Sequence, residues 1–128
     1  MMRLIYTSKI ASSISAGDME NIIVNSQAYN QRAAITGLLI CNFDCFFQVL
    51  EGPDLLVQML FDKIKTDPRH ERVKVISTRQ ADHRMFPGWS MRYLMLPSEK
   101  PPVINDDWTQ LTKKECQVLL DMLAPASV

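Results

Sequence analysis

Tyr6, Asn30, Gln48 and the triplet Trp89-Ser90-Met91 are residues that a plain core pattern does not account for. Tyr6 and Gln48 each interrupt a run that reads as a buried strand. A buried phenol or carboxamide costs free energy unless it finds a hydrogen-bond partner. Two arrangements meet that need. The side chains satisfy each other inside an ordinary core, or they surround a polar ligand. A tyrosine hydroxyl and two carboxamides could hold the polar edge of a flat aromatic ligand between apolar walls. Trp89 and Met91 alternate with Ser90 and share a face, which by itself is ordinary packing. The dense stretch Arg69-His70-Glu71-Arg72 reads by itself as a solvated loop, or as a site for phosphates.

Secondary structure must hold these groups in place. Residues 3–8 are β-branched and aromatic enough for a first strand. Ser15-Ala16-Gly17-Asp18 has capping-box spacing, with Asp18 near the positive end of the helix dipole. Met19, Ile22, Ile23 and Ser26 form one stripe, predicting a helix to about residue 30. Residues 34–41 read as an apolar strand, Asn42-Phe43-Asp44 as a turn, and residues 45–50 as a strand ending at Glu51-Gly52. Pro53 suits the first position of a helix. Leu56, Met59, Leu60 and Ile64 give that helix an apolar face, and Asp67-Pro68 ends it. Residues 73–78 and 89–96 read as two further strands. Residues 97–107 are a proline-rich, charged linker. Thr112-Lys113-Lys114-Glu115 is a capping box, with Leu111 and Cys116 placed as a hydrophobic staple. Val118, Leu119, Met122 and Leu123 stripe a last amphipathic helix.

The order β-α-β-β-α-β-β predicts an α/β ferredoxin-like sandwich. A five-stranded mixed sheet carries two helices on one face and the C-terminal helical segment on the other. The first and third strands are then neighbours near the sheet centre. Alternation places Tyr6 with Leu4 and Ser8, and Gln48 with Phe46 and Leu50. If both sets face the helices, Tyr6, Gln48 and Asn30 converge on a slot walled by Ile22 and Ile64. Its mouth would lie near residues 67–72, where Arg69, His70 and Arg72 could meet phosphates.

Composition narrows the function classes. The chain has 128 residues, enough for one core-forming domain and a short extra element. Formal net charge is +0, which argues against a nucleic-acid partner, since phosphate recognition wants a basic excess. No apolar run is long enough to span a bilayer. The first six residues are too short and strand-like for a signal peptide. Three cysteines without CxxC spacing fit a reducing compartment. The reading is a cytoplasmic protein without membrane contact. Cys41 and Cys45 read as small hydrophobes, and two scattered histidines suggest no metal site.

Several of these segments together resemble one family. Leu4-Ile5-Tyr6-Thr7-Ser8 is similar to the opening strand of the BLUF family, blue-light sensors that use flavin. Asn30, five residues before Ile35-Thr36-Gly37-Leu38-Leu39, resembles its asparagine and Ile-Thr-Gly strand. Phe46-Phe47-Gln48-Val49-Leu50-Glu51-Gly52 resembles its glutamine strand. Asp67-Pro68-Arg69-His70 resembles its loop after the second helix, and Phe86-Pro87-Gly88-Trp89-Ser90-Met91 its last-strand signature. The likeness covers residues 2–97.

The resemblance implies a photosensory domain over residues 1–97 and a linker with helix over residues 98–128. It implies FAD, or FMN, held noncovalently between the two helices. Tyr6 would donate an electron and a proton, and Gln48 would bridge Tyr6 and the flavin. Asn30 would hold the flavin O4 and N3 edge, and Ile22 and Ile64 would sandwich the ring. Asp67 and Arg69 would lie by the ribityl and phosphate portion, and Trp89 and Met91 would relay the change. Signalling would run through the last strand and C-terminal helix to an unidentified partner protein or to an oligomer interface. A homo-oligomer is expected by analogy, and enzymatic turnover is not expected. Three positions depart from the common pattern. Tyr29 stands where asparagine or histidine is frequent, and Lys63 where arginine is, losing the planar fork. Ala34 replaces a frequent glycine, a change expected to matter less. The alternative reading is a ligand-free interaction module on the same fold.

Overall fold

The β-branched N-terminal run forms β1 (Met2–Ile10), an inner strand of a five-stranded sheet in a computed structural model of the chain. The structure describes residues 1–11, 15–41, 44–88, 90–95, 112–114 and 117. After β1 come α1 (Ala16–Arg32), β2 (Thr36–Cys41), β3 (Cys45–Gly52), α2 (Asp54–Thr66), β4 (His70–Gln80) and β5 (Arg92–Met95). The strand order is β4-β1-β3-β2-β5. All pairs are antiparallel except β2 with β5, so the sheet is mixed as expected.

Local chemistry sets the element ends. Ser15 Oγ accepts from the Asp18 N–H, and the Asp18 carboxylate accepts from the Ser15 N–H, closing the expected capping box. At the far end of α1 the Ile35 N–H donates to the Asn30 carbonyl over 2.9 Å. This reversal requires a left-handed residue, and Ala34 supplies it at φ 56°. A Cβ in that conformation costs about 1–2 kcal/mol. The exchange of glycine for alanine therefore matters more than the sequence suggested. Pro53 precedes α2 as its N-cap, one residue earlier than expected, where its missing donor is equally harmless.

Register decides the faces. Leu4 pairs with Leu50, Tyr6 with Gln48 and Ser8 with Phe46. Leu4, Tyr6, Leu39, Phe46 and Leu50 pack under Ile22 of α1 and Val57 and Phe61 of α2. The α2 stripe is thus turned from the expected one. Val57 and Phe61 are buried, Leu56, Leu60 and Ile64 are half-buried, and Met59 is exposed. The opposite face carries Ile5, Leu38, Ile40, Phe47 and Val49, all buried. Burial of each such side chain contributes about 1.5–3 kcal/mol. Lys113 and Gln117 line a cavity with Ile5 and Ile76 on that face. Trp89, the linker over residues 97–107 and the rest of the helix expected over residues 111–123 lie outside the described residues.

Candidate functional site

Tyr6 and Gln48 face each other across β1 and β3, both buried. The Tyr6 hydroxyl donates to Gln48 Oε1. The other end of the carboxamide, Nε2, lies 3.5 Å from Met91 Sδ, a weak acceptor. A neutral chain of phenol, carboxamide and thioether therefore runs from β1 across β3 to the residue before β5.

Asn30 sits in the last turn of α1, fixed by the reversal at Ala34. Its Nδ2 donates to the Ser90 carbonyl over 2.8 Å. Its Oδ1 is buried with no hydrogen-bond partner among the described residues. Three residues earlier, Gln27 Nε2 donates to the Met91 carbonyl over 3.2 Å. Sequence reasoning missed Gln27, which lies on the exposed side of α1 and carries no pattern signal.

Between α1 and α2 lies a cavity of about 250 Å³. Ile22, Tyr29 and Asn30 line it from α1, and Leu60, Lys63 and Ile64 from α2. Gln48 and Leu39 contribute from the sheet, and Asp67, Arg69 and His70 from the segment after α2. The structure thus gathers nearly all the residues singled out for binding. Tyr6 is one exception: it does not line the cavity, but donates to Gln48, which does. Leu60 and Leu39 were not singled out. Leu60 was readable one helical turn before Ile64.

The rim is held by charge. Arg69 grips Asp67 through Nε and Nη2, the shortest contact being 2.6 Å. Hydrogen bonding from Arg69 holds the Asp67 carboxyl below its usual range. Lys63 Nζ lies 4.9 Å from the centre of the Tyr29 ring, a cation–π contact that spans the two helices. Two of the three unusual positions of this chain thus partner each other.

His70 departs from expectation. It turns inward, with Nδ1 2.9 Å from Ser8 Oγ and its ring 4.7 Å from Phe46 and 6.2 Å from Tyr6. Burial pushes its pKa down to about 4, against a smaller upward pull from Asp67. A neutral, inward ring is not a phosphate ligand. Arg72 does not line the cavity either. Burial pushes the Tyr6 phenol well above its ordinary value, and the nearby Asp67 charge adds to this. Tyr6 therefore keeps its proton in the resting site.

Comparison with known proteins identifies the family. The sequence model of the family described as "BLUF: Sensors of blue-light using FAD" matches residues 1–92. The chain belongs to the BLUF family. It is 34% identical over 83 residues to the blue light- and temperature-regulated antirepressor BluF of Escherichia coli (strain K12). That match covers 65% of this chain and 21% of the relative. It is 40% identical over 63 residues to photoactivated adenylate cyclase subunit alpha of Euglena gracilis, 49% of this chain and 6% of the relative. The chain thus spans a minor part of these relatives. Among solved structures, the BLUF protein BlrB in its dark state superposes with a TM-score of 0.71 at 34% identity, over 73% of this chain and 71% of that one. The ground state of BlsA superposes with a TM-score of 0.86 at 26% identity, over 98% of this chain and 89% of that one. No helix among the described residues is long and apolar enough to cross a membrane.

Proposed function

We propose that the cavity holds FAD, or FMN in its place, and that Tyr6, Gln48 and Met91 convert absorbed blue light into a change of hydrogen bonding. One observation carries the reading: a neutral, exchangeable hydrogen-bond chain meets, at its middle member Gln48, a cavity also lined by Asn30, whose Oδ1 has no partner among the described residues. A buried acceptor left alone costs about 1–3 kcal/mol, so it suits a ligand N–H. The residues present fit a flavin in that respect. Ile22 and Ile64 would flank the ring, and Asn30 and Gln48 would meet its polar edge. Lys63, Arg69 and Asp67 would lie toward the tail. Bound there, the flavin supplies blue-light absorption and oxidising power.

The protein's own steps follow from its hydrogen bonds. Tyr6 is protonated and buried, so transfer of its electron to an excited flavin in the cavity would make its proton strongly acidic; Gln48 Oε1 receives its hydrogen bond, and return of the electron and the proton to Tyr6 would restore the phenol. Once that bond is disturbed, the carboxamide can exchange its donor and acceptor ends. Its Nε2 then leaves Met91 Sδ, removing one of the three amide contacts that hold the segment entering β5. We read the chain as a sensor, not a catalyst, in a reducing compartment such as the cytoplasm. Output would pass through Trp89, Met91, β5 and the C-terminal helix to a partner protein or to an oligomer interface.

The test is an absorption spectrum of the purified protein in the dark and under blue light. The expected result is a flavin spectrum with a small reversible red shift. Protein that stays colourless after incubation with both FAD and FMN would return the ligand-free interaction module to first place. Removing residues 112–128 should leave the shift and abolish light-dependent association with a partner.

A further inference from the structure

Glu51 lies three residues beyond Gln48 on β3, and its side chain points to the other face of the sheet. It is fully buried. Its carboxylate accepts from Arg3 Nε at 3.2 Å, Thr36 Oγ1 at 3.2 Å, the Met85 N–H at 2.9 Å and the Phe86 N–H at 2.7 Å. Four donors fill its acceptor sites. Arg84 completes the bracket, donating to Thr36 Oγ1, the Glu51 carbonyl and the Ala34 carbonyl. The loop between β4 and β5 is therefore fastened at residues 84–86 to the ends of β2 and β3 and to the turn that positions Asn30.

The same loop is held differently at its far end. There Asn30 takes the Ser90 carbonyl, Gln27 takes the Met91 carbonyl and Gln48 meets Met91 Sδ. One end is tied by a buried carboxylate and a guanidinium, the other by neutral amides. A buried charge is a poor choice for stability alone, since apolar residues of similar volume often serve as well. It does fix the positions of the donors around it.

We propose that Glu51 is a positioning residue for signal transmission: it anchors Met85 and Phe86 so that displacement of Met91 is delivered to β5 and not absorbed by the loop. The inference rests on the photosensor reading above. It places the lever's fixed point on the face away from the cavity, where Glu51 has no part in the absorption change.

The test is Glu51→Gln in the full chain, read by the light-induced red shift and by amide hydrogen exchange, lit and dark. The expected result is an unchanged red shift. Dark protection of the Met85 and Phe86 amides should fall by about tenfold, as loss of bonds to a charged acceptor implies. The lit-minus-dark exchange difference across Arg92–Met95 should collapse. A lowered melting temperature with a wild-type lit-minus-dark difference would reduce Glu51 to a stabilising residue and overturn the proposal. Loss of the red shift itself in the variant would also overturn it, by making Glu51 part of the photochemistry. If the glutamine variant does not fold, Arg84→Met loosens the same bracket without burying a new polar group and is read the same way. Wild-type protein that binds flavin without shifting would sink the photosensor reading first, a result distinct from either failure above.

Discussion

Gln48 and Glu51 occupy one strand, three residues apart, and serve opposite faces with opposite chemistry. Gln48 is neutral, and its two ends meet a phenol and a thioether. Each bond is replaceable, and the carboxamide can present either end to either neighbour. Glu51 is charged, meets four donors and has no equivalent alternative arrangement. The contrast teaches where change is affordable. A group that must move sits among neutral partners of similar strength. A group that must stay sits where every rearrangement leaves a buried charge short of donors.

The anchor is the place to break this contrast most severely. Glu51→Ala should destabilise the fold by about 3–5 kcal/mol in urea unfolding, because Arg3 stays buried without its partner. Next in size is an acid effect at the switch face. The folded His70 value of about 4 lies below the 6.5 of an unperturbed histidine. Above pH 6.5 both folded and unfolded chains hold it neutral, and its contribution is complete. As pH falls from 6.5 toward 4 only the unfolded chain takes the proton, so stability drops, by up to about 3 kcal/mol. His70→Gln should flatten that slope, and an unaltered pH–stability curve would remove His70 from the account.

At the switch itself, Gln48→Leu should cost about 1–3 kcal/mol by leaving the Tyr6 hydroxyl unpaired. It should also abolish the red shift while flavin stays bound, as difference spectroscopy would reveal. The smallest change sharpens the contrast from the anchor side. Ala34→Gly removes the left-handed strain beside the Arg84 contact and should stabilise the dark state by about 1 kcal/mol. No gain in melting temperature would mean that the turn at Ala34 is not strained.

The common face of Tyr6 and Gln48 was legible in the sequence and the bracket around Glu51 was not, for physical reasons. Strand alternation has a period of two, so one register placed Tyr6, Gln48, Leu4 and Phe46 on a common face. Helix α2 was harder. Apolar residues surround most of it, and a stripe through Leu56, Leu60 and Ile64 fits the helical period nearly as well as one through Val57 and Phe61. Only packing against β1 and β3 selects between them. Glu51 looked like the polar end of a strand. Its signal was the cross-strand pair with Arg3, opposite charges in two otherwise apolar runs. His70 was misread because a basic stretch looks solvated until the fold turns one member toward Ser8.

The place of β5 in the sheet has a thermodynamic consequence. Among the described residues it is hydrogen-bonded to β2 alone, while β1, β2 and β3 each have neighbours on both sides. If the proposed signal shifts β5, it breaks a single ladder of four residues, so the two positions would differ by a small free energy. A small gap makes the response to light large, and it also sets the fraction of molecules already shifted in darkness. Sensitivity and background are then the same quantity read in two conditions. A change that tightens β5 against β2 must quiet the dark signal and blunt the light signal together.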